Sequence, residues 1–297
     1  MVAAFIFGVF GLIVGSFLNV VILRRGVRSV GGRSGCMSCG AQLKWYDMIP
    51  VFSWVLLGGR CRSCRAHISI QYPLVELSTG LLFALIGASV GATLPLSTRE
   101  IVNLVFVLTS LPIGALLIAI FVYDLKHTII PDSWVYTFIA LAFGHQFLTP
   151  LWGEYGNWLF LSGPIVAFPI FALWGASAVR YGEPGMWMGF GDVKLALGIG
   201  WLLGPLPGLL AVFLAFVIGA CVSLLLVFFS SQGWKKFVDG FTPTPISQRL
   251  VWGFTMKSEI PFGPFLVLSC ILIWFASLYG IDIFHVFGLS LWSSSSW

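Results

Sequence analysis

Charge is what this 297-residue sequence has least of: Asp, Glu, Lys and Arg make up 9% of it, against 58% hydrophobic residues. An ordinary soluble domain carries about 25% charged residues, so a fold with water on every side is excluded. No basic residue precedes the first apolar run, and the charges follow it, the reverse of a secretory signal; residues 1–23 therefore read as a retained first helix. No internal repeat or long low-complexity tract is visible, and no glycine-rich cofactor fingerprint occurs, so any cofactor site must be assembled from the first loop and adjoining helix ends.

Long apolar stretches fill the space left by charge. A bilayer core of about 30 Å needs about 20 apolar residues per helix. Eight segments approach that length, near 2–23, 73–93, 101–123, 133–151, 157–179, 192–207, 209–230 and 262–284. The reading is an all-α polytopic membrane protein with about eight transmembrane helices. The Gly204-Pro205-Leu206-Pro207-Gly208 punctuation leaves one long bent helix as the alternative for the pair at 192–230. With eight spans, every Lys and Arg except Arg99 falls on one face, which the positive-inside rule makes cytoplasmic. The net charge of +5 then belongs to a membrane surface and points to anionic headgroups rather than nucleic acid.

Four of the six cysteines form two C-x2-C pairs, Cys36/Cys39 and Cys61/Cys64, in the loop after the first helix. That spacing suits a closed tetrahedral zinc site, and a reducing cytoplasm disfavours disulfides, with a redox pair as the competing reading. A loop of about 50 residues buries little apolar surface, so the metal would act as a structural staple. Trp45, Tyr46, Ile49, Val51, Phe52 and Trp54 are available to pack it on the membrane face, while Cys221 and Cys270 lie inside spans as core residues. The expected division is a first helix at 1–23, a zinc-binding domain at 24–72, a helical membrane domain at 73–284 and an external tail at 285–297.

Two aspartates carry the chemistry. Asp124 ends the third span and Asp192 starts the sixth, so both stand at one depth on one face. A carboxylate at membrane depth costs roughly 2.5 kcal/mol or more on insertion scales, which makes a functional role the default reading. Two carboxylates sharing a proton can hydrolyse a peptide bond. Gly189 and Gly191 before Asp192 are expected to give the backbone unusual conformations, and Pro131 to interrupt the helix after Asp124. Asp132 is expected to cap the fourth helix. The bland alternative is that both aspartates are headgroup-solvated.

These segments resemble a known family. MGFGDVKL at 188–195 resembles the GxGD signature of intramembrane aspartic proteases. FGVFGLIVGSFLN at 7–19, the cysteine loop with WYDMIPVFSW and YPLVE, residues 124–132 and EIPFGPF at 259–265 narrow the resemblance to the prepilin peptidases, or type IV leader peptidases. The resemblance implies an aspartic endopeptidase of the bacterial cell membrane, with Asp124 and Asp192 as its catalytic pair. It implies cleavage of the basic leader of prepilins or pseudopilins after glycine on the cytoplasmic side. Members with the four-cysteine loop are similar to bifunctional enzymes that then methylate the new N-terminal amine with S-adenosylmethionine. Gly26 and Trp187 depart from the commonest pattern without touching either aspartate.

Gly15, Asn19 and Glu76 are candidates for a substrate or methyl-donor site, each with a structural reading beside it: packing, capping and a headgroup-level charge. Glu76, Glu183 and Glu259 are candidates to bind a basic leader, since the cytoplasmic cations would repel it. His127, beside Asp124, reads as a tuning residue or a loop histidine. Two other classes fit the composition: a proton-coupled transporter and a zinc-knuckle scaffold with inert aspartates.

Overall fold

The computed structural model describes residues 2–26, 29, 31–89, 98–148, 156–183, 185, 187–230 and 261–281. Glu259, most of the expected cytoplasmic segment after residue 230, and the tail at 285–297 lie outside them. Nine α-helices stand among the described residues: α1 (Val2–Arg24), α2 (Phe52–Leu56), α3 (Gln71–Ser89), α4 (Thr98–His127), α5 (Asp132–His145), α6 (Leu159–Tyr181), α7 (Phe190–Leu203), α8 (Pro205–Ser230) and α9 (Gly263–Leu278). A helix therefore occupies each of the eight expected positions, and α2 belongs to the cysteine loop.

Five of these positions hold helices long and apolar enough to cross a membrane: Val2–Arg24, Gln71–Ser89, Val105–His127, Gly156–Tyr181 and Pro205–Leu226. α5, α7 and α9 have 14, 14 and 16 residues. At 1.5 Å per residue they reach only about 21–24 Å. A short helix is tolerable where other helices cover its ends, and α7 is sheathed in that way, since none of Gly191–Leu203 is exposed.

Close helix crossings come from small residues. A Cβ at Gly11 would stand 2.7 Å from the Phe83 Cβ, and one at Gly15 would stand 2.7 Å from the Glu76 Cα. α1 and α3 thus touch backbone to backbone, as apolar helices do when small residues line the seam. Phe5, Ile6, Phe10 and Ile13 on the opposite side of α1 are exposed toward the bilayer. The main core gathers Leu117 and Ile120 of α4, Phe138 of α5, Ile170 of α6, Leu195 and Ile199 of α7 and Leu266 of α9, all fully buried.

The punctuation at 204–208 makes a reversal, not a bend. Gly204 takes φ 86° and ends α7. Beyond it, a Cβ on Gly208 would lie 3.4 Å from the Gly200 Cα. Eight residues of continuous helix would separate those positions by about 12 Å.

Candidate active site

Asp124 and Asp192 are 3% and 7% exposed, and each is set at the end of a helix. Asp124 lies in the last turn of α4; Asp192 lies in the first turn of α7. The two carboxylates are close enough to interact electrostatically. Each also takes a backbone N–H at a helix start. Asp192, three residues into α7, is favoured by the backbone N–H of its N-cap Gly189. Asp124 accepts from the N–H of Gly263, the first residue of α9. The positive ends of two helix dipoles therefore face one pair of carboxyl groups.

The glycines act through space rather than through conformation, which corrects the expectation for Gly189 and Gly191. Gly189 has φ −69° and ψ 147°, open to any residue, and Gly191 is helical. A Cβ at Gly191 would press on the Ile130 Cβ at 3.1 Å, while one at Gly189 would approach the Asp192 Oδ2 at 3.7 Å. Gly263, which sequence reasoning did not single out, is the tightest of the three: its Cβ would collide with the Asp124 Oδ2 and stand 3.1 Å from the Ile130 Cδ1. Ile130 thus wedges between the starts of α7 and α9. The segment that carries it leaves α4 through Thr128, a β-branched residue at φ 54° whose N–H bonds the Asp124 carbonyl at 2.8 Å. Such a residue in left-handed backbone is strained, and strain of this kind concentrates at functional sites.

Asp132 does not cap α5, as the sequence suggested. The N-cap is Pro131, Asp132 is the first helical residue, and no side-chain cap bond forms. Its carboxylate instead pairs with the Lys194 Nζ at 2.6 Å, a long-range contact that outcompetes the local one. His127 stacks on Tyr123 with ring centroids 4.4 Å apart, and Tyr123 meets Trp134 edge-on at 5.3 Å. Arg25, just past α1, lies 4.5 Å over Trp134 and donates to the Ser133 Oγ at 2.9 Å, tying the cysteine loop to the helices beside the aspartates.

The four paired cysteines converge, with all their Sγ atoms within 4.8 Å of one another. Thiolates at about 2.3 Å from a tetrahedral zinc stand about 3.8 Å apart. Cys36 Sγ and Cys64 Sγ are 3.8 Å apart, so the donor set fits that ion. Two matching turns build it. Cys36 accepts the Gly40 N–H and donates its own N–H to Ala41; Cys61 accepts from Arg65 and donates to Ala66. Gly40 and Arg65, each directly after the second cysteine of its pair, both take left-handed φ of 70° and 58°. Backbone N–H groups of Cys39 and Ser38 draw the Cys36 thiol down to about 6, whereas, against the pull of the Ala66 N–H, the sulfurs of Cys39, Cys61 and Cys36 push Cys64 up to about 11.

Sequence comparison places these two centres in known company. A model described as the bacterial peptidase A24 N-terminal domain matches residues 9–90, which hold the cysteine cluster, and one for the type IV leader peptidase family matches 111–224, which hold both aspartates. A prepilin leader peptidase/N-methyltransferase of Vibrio cholerae is 32% identical over 71% of this chain and 83% of its own length. The chain belongs to the type IV leader peptidase family. Another member, from Pseudomonas putida, is 28% identical over 93% of this chain and 90% of its own length. One from Myxococcus xanthus is 44% identical over 48% of this chain and 40% of that relative. No solved structure matches the chain.

The remaining candidates fall in the family's two matched stretches. Gly15 is filled on its open side by Glu76 and Thr79, a packing position. Asn19, 1% exposed, donates to the Tyr72 carbonyl at 3.1 Å, and its Oδ1 has no hydrogen-bond partner among the described residues. Glu76, 7% exposed, accepts the Val51 N–H at 2.7 Å and meets the Ser16 side chain. That bond holds a distorted turn, because Val51 has φ 61°. A carboxylate buried in this way is committed to joining the cysteine loop to α3 and is a poor partner for a solvated leader. Glu183 is exposed after α6.

Proposed function

We propose that this protein is a membrane aspartic endopeptidase that removes the basic leader of type IV prepilin-like proteins after glycine, on the cytoplasmic side of the bacterial cell membrane, and then methylates the new amino terminus. The observation that carries this reading is the meeting of two buried carboxyl groups at the starts of α7 and α9, held there by close glycine packing. One carboxylate of the pair takes a proton from water while the other, protonated, donates a hydrogen bond to the scissile carbonyl. The water oxygen adds to the carbonyl carbon, and the resulting tetrahedral species collapses as a proton passes to the departing amine. Gly191 and Gly263 let the starts of α7 and α9 close on Ile130 and Asp124, which fixes the two carboxyl groups in place, and Gly189 leaves space beside Asp192. The relatives' names and the retained four-cysteine loop support this assignment.

Residues 24–72 form the metal-binding unit in this reading, with Cys36, Cys39, Cys61 and Cys64 as the zinc ligands. Four protein thiolates leave no open coordination position, so the metal is structural. The helical residues of 73–284 form the peptidase unit. S-adenosylmethionine supplies an electrophilic methyl group to the freed amine. Among the residues that favoured a cofactor role in the sequence, Asn19 is the one whose buried, unpartnered oxygen suits an ammonium or amide donor. Glu183, exposed near the α6–α7 connection, is the described acidic residue best suited to a leader cation.

The reading is tested by reconstituting the purified chain in proteoliposomes with a prepilin carrying a glycine-phenylalanine junction and methyl-labelled S-adenosylmethionine. Cleavage at that junction followed by label on the new amino terminus is expected. Absence of cleavage by protein of full zinc content overturns the peptidase assignment; cleavage without label overturns only the methylation.

A further inference from the structure

We propose that residues 45–56 of the cysteine loop form a membrane-interface anchor that seats its apolar side chains among the acyl chains and its flanking cations on anionic headgroups. Trp45, Ile49, Phe52, Val55 and Leu56 are 75%, 40%, 62%, 62% and 72% exposed, in a segment joined to the two cysteine pairs only through residues 40–44 and 57–60. Phe52, Val55 and Leu56, at spacings of three and four from Phe52, share one side of α2, and Trp45 opens the 3-10 turn (Trp45–Met48) before it. Trp54, in the same segment, points the other way: its Nε1 donates to the Ile68 carbonyl at 3.2 Å and its ring covers Gly59. One side of the segment is thus used inside the loop, and the apolar side is left outward.

Three observations make lipid the occupant. The first is height. Val51, the N-cap of α2, bonds Glu76, which lies five residues into the membrane span α3, or about 7.5 Å along it. The patch therefore stands level with the opening turns of a transmembrane helix. The second is continuity, because Ile70 just before α3 and Leu74, Leu77 and Leu81 on it form an exposed row that faces the bilayer. The third is charge. Residues 24–72 contain eight Lys and Arg and a single acid, Asp47, which is itself paired with Arg62 at 2.8 Å. Such a surface repels a basic leader and attracts anionic headgroups. Apolar insertion flanked by cations is how interfacial segments bind such membranes.

The test uses the full chain in nanodiscs of phosphatidylethanolamine and phosphatidylglycerol doped with a phospholipid that bears a carbene precursor high on its acyl chain. After photolysis, adducts are mapped by peptide mass spectrometry. Residues 45–56 are expected to be labelled comparably to the α3 row and about fivefold more than the loop tip around Met37, which is 82% exposed but on the metal knuckle. Phe52→Ser with Leu56→Ser should lower labelling of this segment at unchanged zinc content, as should replacing phosphatidylglycerol by phosphatidylcholine. Labelling of wild-type 45–56 no greater than that of the Met37 tip overturns the proposal. So does loss of that labelling when a prepilin is added, which would make substrate the occupant.

Discussion

Adding a single methyl group at Gly263 tests the geometry around the aspartates more finely than removing a carboxylate. In Gly263→Ala the new Cβ would lie on the Asp124 Oδ2 and 3.1 Å from the Ile130 Cδ1. Relief requires the carboxylate or the start of α9 to move, and Ile130, wedged against Gly191 as well, has little freedom to yield. Displacing a catalytic group by about 1 Å costs roughly 100-fold in rate. The overpacking itself costs about 1–3 kcal/mol. The assay is steady-state cleavage of a prepilin in detergent or proteoliposomes. It should show kcat reduced by roughly two orders of magnitude with KM changed far less. Gly175→Ala is the control, a helical glycine of α6 with open space around it, and it should retain activity. A Gly263→Ala enzyme with kcat within about threefold of the parent would refute the claim that this backbone abuts the working carboxylate.

Thr128→Gly should relieve the left-handed strain after α4 and stabilise the protein by about 1 kcal/mol, read as a raised melting temperature in detergent. If the site depends on that rigid turn, activity falls while stability rises. Replacing any one of Cys36, Cys39, Cys61 and Cys64 by Ser should lower metal content from about one zinc per chain, measured by elemental analysis of the purified protein. A metal-free parent with intraloop disulfides would contradict the site. Glu183→Lys should raise KM for a basic-leader substrate several-fold, with a smaller effect on a leader stripped of its charge and a difference that shrinks at high salt.

The positions of the helices were legible in the sequence because each is an apolar run, and the four-cysteine cluster because each C-x2-C pair is local. What escaped is what depends on contacts between distant segments. Asp132 read as a cap, since caps are decided by neighbours in sequence, but Lys194 lies 62 residues away and claims its carboxylate. Gly189 and Gly191 read as sources of unusual backbone, whereas packing against Ile130 and the space beside Asp192 are what they provide. Gly263 carried no sign of its part beyond its place in a motif, because its partner, Asp124, comes from another helix. Glu76 read as a headgroup-level charge; its bond to Val51 depends on the cysteine loop folding back over α3. The shortness of α5 was also hidden, since apolar residues continue past His145, whereas the Gly/Pro punctuation at 204–208 already marked the helix before it as short.

The central claim is that Asp124 and Asp192 act as one catalytic unit. Its most direct test is the cleavage rate of Asp124→Asn, Asp192→Asn and the double variant, measured on a glycine-phenylalanine leader junction in membranes with protein level and zinc content held equal. Each single variant should lose essentially all cleavage, and the double variant should be little worse than either, as for groups that work together. Substantial cleavage by either single variant, or losses that multiply in the double variant, would contradict the account.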